Sequence, residues 1–397
     1  MAIKKRNKNR KKFFAISLTL VLSIAVLSFV FKNDPIPHQN IVDTKISLYS
    51  DKNITPKAIE TNPEFKNIVF DTAPTKNTFP FVSQIAAVVR SIRATITPIK
   101  EDVIPKELGS WIWTPIMQMT PDYTESILSE AKANRVNVMY LSIDSYLDIF
   151  TMKKGTERER QKRLFSRKVE DFIVRANYKG IEVDAEAGWR NWAEDDNIYK
   201  AYAIINYVKS FNATHSNKFR GFQYDVEPYL LERYQKNKVS VLSNFVELVD
   251  KTEYFLKDSD LTFSVVIPDF YDEKDEFTPN FSYNGEKEST FKHLLNILDK
   301  KEGSSIIIMS YRNFAEGQDG SIEVSRNEIQ TADKGNHKTK IIIAQETGDF
   351  LPSYITFHNT SKRYLYSELE KINDTFSSHS SFGGIAIHYV NTFLALR

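Results

Sequence analysis

The sequence predicts an α/β protein, a (β/α)8 (TIM) barrel, preceded by an N-terminal transmembrane helix and an extended stalk. Three observations carry this prediction. From about residue 108 onward, eight short strand-like runs alternate with helix-length amphipathic stretches. Strands separated by helices pair in parallel through right-handed crossovers, and eight such units suit a closed ring of roughly 250 residues. The turn after the first run reads Trp111, Ile112, Trp113, Thr114, Pro115, with none of the glycines that a doubly wound nucleotide-binding sheet places there.

The strand-like runs are 109–114, 137–144, 180–186, 221–227, 261–267, 305–311, 340–346 and 383–389. Helical periodicity fills 123–133, 162–177, 198–213, 239–256 and 362–376 between them. Three segments follow: 1–32 as a basic tail with a membrane anchor, 33–105 as an extracytoplasmic stalk, and 106–397 as the barrel. The stalk is rich in Pro, Asn, Thr and Lys; its stretch 81–96 carries enough apolar residues for one short element.

The anchor is read from residues 13–31, an uncharged apolar run whose length approaches the roughly 30 Å of a bilayer's hydrocarbon core at about 1.5 Å per helical residue. Seven basic residues between Lys4 and Lys12 precede it, which places the N-terminus in the cytoplasm and the barrel outside. A cleaved signal peptide is the alternative, but the run is longer than the usual apolar core and no A-x-A site follows. All eight charged residues before residue 33 are basic, so the rest of the chain carries 45 basic against 51 acidic side chains. That mildly acidic remainder argues against binding a phosphate backbone, so no nucleic-acid partner is expected. The chain has no cysteine, which excludes disulfides and thiolate metal sites.

Polar residues concentrate at the C-terminal ends of the runs, where barrels of this kind carry their chemistry. In the third run, Glu182, Asp184 and Glu186 fall on the face opposite Ile181, Val183 and Ala185. In the fourth, Gln223, Asp225 and Glu227 face the lumen while Phe222, Tyr224 and Val226 face the helices. Up to five carboxylates thus crowd two adjacent strands, and such crowding raises the proton affinity of at least one, as a general acid requires. The alternative for Glu182, Asp184 and Glu186 is ion pairing in the lower layers of the barrel. Further candidates at strand ends are Trp111, Trp113, Asp144, Asp269, Tyr311, Arg312, Gln345, Glu346, His388 and Tyr389. Aromatic faces beside carboxylates suit sugar rings, although Trp111 and Trp113 can equally fill the core. Trp189 and Trp192, just past the third run, are expected to line a cleft.

The fourth run (GFQYDVEP), the MSY of the sixth and the GGIAIHY of the eighth together resemble a divergent chitinase-like glycoside hydrolase of family 18. The family's D-G-x-D-x-D-x-E places its last acid pair on Asp225 and Glu227, while its first two aspartates fall on Arg220 and Gln223. Its M-x-Y-D becomes Met309, Ser310, Tyr311 and Arg312, and its eighth-strand tryptophan falls on His388. The resemblance implies that Glu227 protonates the leaving oxygen, Asp225 orients an acetamido group and Tyr311 helps hold it. A second scheme, that of another clan of retaining barrels, makes Glu227 the acid/base and Glu346 the nucleophile, about 5–5.5 Å apart.

The expected function is therefore a membrane-anchored, extracytoplasmic glycosidase acting on a cell-wall or exopolysaccharide glycan, without cofactor or metal. A peptidoglycan-type polymer falls within that class of partner. Two alternatives stand beside it. One is a non-catalytic glycan-binding barrel, suggested by the residues at Arg220, Gln223, Arg312 and His388. The other is a divalent-metal enzyme using Asp184 or Glu186, Asp225 or Glu227, and Asp269 as oxygen ligands. A zinc hydrolase fits poorly, since Trp-Ile-Trp stands where its His-x-His belongs.

Overall fold

The structure, a computed structural model, describes residues 106–273 and 276–397. Eight parallel strands close into a ring in sequence order. They are β1 (Leu108–Ile112), β2 (Val138–Ser142), β3 (Glu182–Ala187), β4 (Gly221–Tyr224), β5 (Thr262–Pro268), β6 (Ser305–Met309), β7 (Lys340–Glu346) and β8 (Phe382–His388). The ring shuts where β1 pairs with both β2 and β8, Gly109 lying opposite Val138 on one side and Ala386 on the other. The (β/α)8 architecture expected from the alternating runs is the one observed. Among the described residues no helix is long and apolar enough to cross a membrane; the apolar run 13–31 and the stalk 33–105 lie outside the described residues.

The outer layer is built from helices α1 (Pro121–Ala133), α2 (Tyr146–Thr151), α3 (Thr156–Tyr178), α4 (Ile198–Thr214), α5 (Tyr234–Leu256), α6 (Thr290–Leu298), α7 (Ser321–Val324), α8 (Arg326–Lys334), α9 (Lys362–Phe376) and α10 (Val390–Ala395). Local chemistry sets their starts. Thr120 accepts the Tyr123 N–H with Pro121 in the first turn, and Ser289 and Ser361 cap α6 and α9 in the same way. A small hairpin, Phe281–Tyr283 with Glu286–Glu288, interrupts the segment between β5 and α6. It turns on Asn284 and Gly285, both at positive φ (50° and 88°), the pair a tight two-residue hairpin needs.

Period-two alternation sorts the strand residues into two cores. Phe222, Tyr224, Val226, Ile306, Ile308, Ile341 and Ile343 join the core between barrel and helices. Trp111, Trp113, Val138, Tyr140, Val266, Ile307, Ile342, Ala344 and Ala386 fill the lumen. Size is balanced across it: Gly109 leaves room for Tyr140, whose hydroxyl would lie 2.2 Å from a β-carbon added there.

At the N-terminal end of the lumen Arg220 joins two carboxylates. It meets Asp184 at 2.8 and 2.5 Å and Glu107 at 2.9 Å, while the Tyr140 hydroxyl donates to Glu107 at 2.6 Å. Glu182, largely exposed, adds a longer contact of 3.5 Å to Arg220. Asp184, expected among substrate-binding groups, is thus turned to the opposite end from the mouth, and the ion-pairing alternative holds for it. A cavity of about 240 Å³, lined in part by Glu107, Arg220 and Lys340, lies at this end. Replacing Arg220 by Met should cost about 3–5 kcal/mol, because Asp184 and Glu107 are left without their cation. Urea denaturation of the full chain checks this, and adding Asp184→Asn should recover part of the loss.

Candidate active site

The alternation that puts Phe222, Tyr224 and Val226 in the outer core turns Gln223, Asp225 and Glu227 the other way. Gln223 confirms the direction: its Oε1 accepts the Trp111 indole N–H across the lumen at 2.7 Å. β4 ends at Tyr224, so Asp225 and Glu227 stand in the turn just beyond it, at the C-terminal mouth. Asp225 is buried, whereas Glu227 is half-buried and its Oε1 accepts the Tyr229 hydroxyl at 2.8 Å. Tyr229 went unnoticed in the sequence. Its signal was a tyrosine two residues past the carboxylate, in the short 3-10 turn Pro228–Leu230.

Tyr311 lies just past β6 and is half-buried against the lumen cluster. Burial raises its phenol well above the ordinary range, and the charges of Glu346, Asp225 and Glu227 push it further the same way. The hydroxyl therefore stays protonated and neutral. Tyr271, past β5, is also raised by burial first, with Glu227 among the charges that add to it. Asp225, Glu227, Tyr311 and Glu346 all stand at or just past the C-terminal ends of their strands.

Glu346 is held differently from Glu227. It is 1% exposed; its Oε1 accepts the backbone N–H groups of Thr347 and Gly348 at 2.7 and 2.6 Å, and its Oε2 lies 2.7 Å from His388 Nδ1. The tautomer of His388 follows from its other partner. The Trp113 indole can only donate, and it reaches His388 Nε2 at 2.9 Å, so the proton sits on Nδ1 and is donated to Glu346. His388 thus occupies the position of the resembled family's tryptophan as a link between Trp113 and Glu346. The peptide bond between His388 and Tyr389 is cis, and Tyr389, like Tyr311, is half-buried against the lumen cluster.

Several expected substrate contacts are corrected. Trp111 and Trp113 are buried and hydrogen-bonded, so they form the floor of the mouth rather than a stacking face. Trp192 is also buried, edge-on to Tyr224 beneath the loop, whereas Trp189 is half-buried as a cleft residue should be. Gln345 points outward: it accepts the Ser321 hydroxyl and donates to the Ser310 and Ala344 carbonyls. Arg312 is clasped by Asp269 at 3.3 Å and Asp319 at 3.0 Å, which ties the β5 and β6 loops together. Asp144 accepts the Gly188 N–H at 3.3 Å and so steadies the loop after β3. Glu186 is fully buried on the third strand, level with Gln223. Asp184 and Asp269 are both paired with arginines, and no cluster of three or more potential metal ligands occurs among the described residues. The oxygen-ligand set of the metal alternative is therefore not assembled.

Eight parallel strands closed round a side-chain-filled lumen, with carboxylates just past the C-terminal strand ends, make this a (β/α)8 barrel with an acidic mouth. No protein-family model matches the chain, and no curated protein sequence matches it. Among solved structures it is similar to the endo-1,4-β-mannanase of Rhizomucor miehei (9% identity over 73% of this chain and 87% of that one, TM-score 0.45). It is also similar to a GH18 chitinase from Pseudoalteromonas aurantia (12% identity, 73% of this chain and 98% of that one, TM-score 0.44). A third is the spore cortex-lytic enzyme SleL of Bacillus megaterium (12% identity, 75% of each chain, TM-score 0.41). Likenesses this distant carry nothing about activity.

The glycine after β3 fixes the site's spacing. A β-carbon on Gly188 would stand 2.1 Å from the Asp225 carbonyl oxygen, a contact with backbone that cannot give way cheaply. Gly188→Ala should therefore lower the melting temperature and displace Asp225, with a larger loss of any catalytic rate than of stability. Thermal unfolding beside a kinetic assay checks it; an unchanged melting temperature would show that the two loops are free to separate.

Proposed function

We propose that the protein is a glycoside hydrolase, with Glu227 as general acid/base and Asp225 assisting. The observation that carries the reading is the acid pair just past β4, buried Asp225 and half-buried Glu227 held by the Tyr229 hydroxyl, at the same end of the barrel as Glu346. Of the three carboxylates Glu227 is the half-exposed one, as the group that meets the leaving oxygen must be.

The hold on Glu346 favours one of the two schemes. Three donors and near-complete burial suit a fixed negative charge better than an atom that attacks a sugar. In the favoured scheme the substrate's own 2-acetamido oxygen attacks the anomeric carbon as the glycosidic C–O bond breaks. Glu227 gives its proton to the leaving oxygen, and Asp225 and Tyr311 orient the acetamido group. Water then opens the resulting ring, its proton returning to Glu227. The substrate class is accordingly a glycan containing 2-acetamido sugars, as in cell-wall polymers.

The residues that depart from the family 18 pattern each have a partner here. Arg220 serves Asp184 and Glu107, Gln223 serves Trp111, Arg312 serves Asp269 and Asp319, and His388 serves Glu346. They read as exchanged supports, which weakens the case for a barrel that only binds sugar.

Glu227→Gln should abolish release of reducing ends from cell-wall or exopolysaccharide material while glycan binding persists. Turnover at the wild-type rate would remove the hydrolase reading; loss of wild-type activity in EDTA would point to the metal alternative. The reading also places the barrel outside the cell, held by residues 13–31. Fractionation should find the full-length chain in membranes, resistant to carbonate extraction and digestible by protease added to intact cells; a shortened, freely released product would show cleavage instead.

A further inference from the structure

We infer that the outer face of the barrel beside its mouth, formed by the first half of α3 and the two lysines before it, docks a flexible anionic polymer. The polymer's charge is carried by uronate carboxylates or by phosphodiesters. The inference goes beyond the hydrolase reading and stands without it.

Charge is spread unevenly along the chain. Residues 33–397 carry 45 basic and 51 acidic side chains; the sixteen residues 153–168 hold eight of the basic and two of the acidic, which leaves 37 against 49 elsewhere. The overall balance thus hides a patch of one sign on an acidic domain. Charges are screened beyond about 8 Å at physiological salt, so a polymer at this stretch meets the patch and not the average.

The fold sets the patch beside the mouth. α3 follows β2 and runs back from the C-terminal end of the ring, so residues 156–168 lie on the mouth half of the outer layer. Lys168 marks the place: its Nζ donates at 2.7 Å to the carbonyl of Met119, in the loop that follows β1. The acid pair past β4 is two strands away round the ring.

The basic side chains divide by what they touch. Lys168 and the buried Arg158, whose guanidinium lies 5.2 Å from the centre of the Phe150 ring, serve the fold. Arg160 and Lys162 pair with Glu157 at 2.7 Å and Glu159 at 3.3 Å on the same helix. Lys153, Lys154, Arg163 and Arg167 are exposed, with no acidic partner among the described residues. Helical spacing puts Arg160, Arg163 and Arg167 on one stripe about 10 Å long, and Lys153 and Lys154 stand just before the positive end of the helix. Both arrangements work against the helix alone, since like charges repel along the stripe and cations are disfavoured at that end. A bound polyanion reverses the sign of both effects.

A lipid surface fits less well. A helix that lies in a membrane sets apolar side chains beside its cations, whereas the exposed large apolar residues of α3, Val174 and Tyr178, are at its other end. A stiff duplex would also meet the acidic remainder of the surface. A flexible chain can follow the stripe alone.

Binding is measured with the full-length protein in nonionic detergent, using fluorescently labelled polygalacturonate, poly(glycerol phosphate) and uncharged mannan at low and moderate salt. At least one anionic polymer should bind, its affinity falling about tenfold or more as NaCl rises from about 50 to about 200 mM, with no such fall for mannan. The polymer that binds names the charged group. Lys153→Glu with Lys154→Glu, and Arg163→Glu with Arg167→Glu, should each weaken low-salt binding about tenfold, while Arg163→Lys with Arg167→Lys keeps most of it. None of the four loses a partner, so the melting temperature should hold; the lysine pair lies outside the helix and decides the matter even if the arginine pair unfolds. Absence of salt-dependent binding to either polymer, or binding that all four reversals leave intact, overturns the inference. Should neither polymer bind and the reversals instead abolish a preference for phosphatidylglycerol over phosphatidylcholine vesicles, the patch faces a membrane and the inference fails. The readout is binding, so it does not depend on whether the chain cleaves glycan.

Discussion

Closing eight strands into a ring forces every second side chain of each strand into a lumen too narrow to stay wet. That constraint organises the rest of the molecule. Apolar side chains meet it by packing, as Val266, Ile307 and Ala386 do. A polar side chain must find a partner there or remain costly. The lumen accordingly carries a polar link at each depth: Arg220 with Asp184 and Glu107 at the N-terminal end, Trp111 with Gln223 in the middle, and Trp113 with His388 and Glu346 towards the mouth. The indole of each lumen tryptophan is both filler and donor, which explains how two such large residues fit a polar interior.

The same constraint separates the acids by role. Asp184 and Glu346 lie deep enough that their bonding is fully occupied by the protein. Glu227, beyond the end of its strand, keeps contact with solvent while a tyrosine holds one of its oxygens. Acidity at the mouth is thus concentrated where the packing stops. The packed stack below fixes the strand ends from which the loops after β3, β4 and β5 rise.

Much of this was legible because alternation along a strand depends on no distant partner. The opposite facings of Asp225 and Tyr224 could be read from spacing alone, and the eight alternating units gave the ring. Gln345 illustrates a reading that alternation already disfavoured: if Glu346 faces inward, its neighbour must face out, as it does. Asp184 shows the opposite case, since facing the lumen does not say which end a side chain serves; that depends on Arg220, 36 residues away in sequence. Loops carry no such period, which is why Trp192 was placed in a cleft and Tyr229 overlooked. The hairpin at residues 281–288 was not read from the sequence: it carries Asn284-Gly285 at its turn, but its three-residue strands are too short to show an alternation.

The clasp at Glu107 also determines how the domain carries mechanical load. Its side chain is bonded to Tyr140 on β2 and, through Arg220, to Asp184 on β3, one residue before the first strand begins. Tension arriving along the chain from residue 106 is therefore shared among several strands at the point of entry instead of unzipping β1 from its neighbours one hydrogen bond at a time. A pull applied at that end would have to break this clasp before β1 could fray.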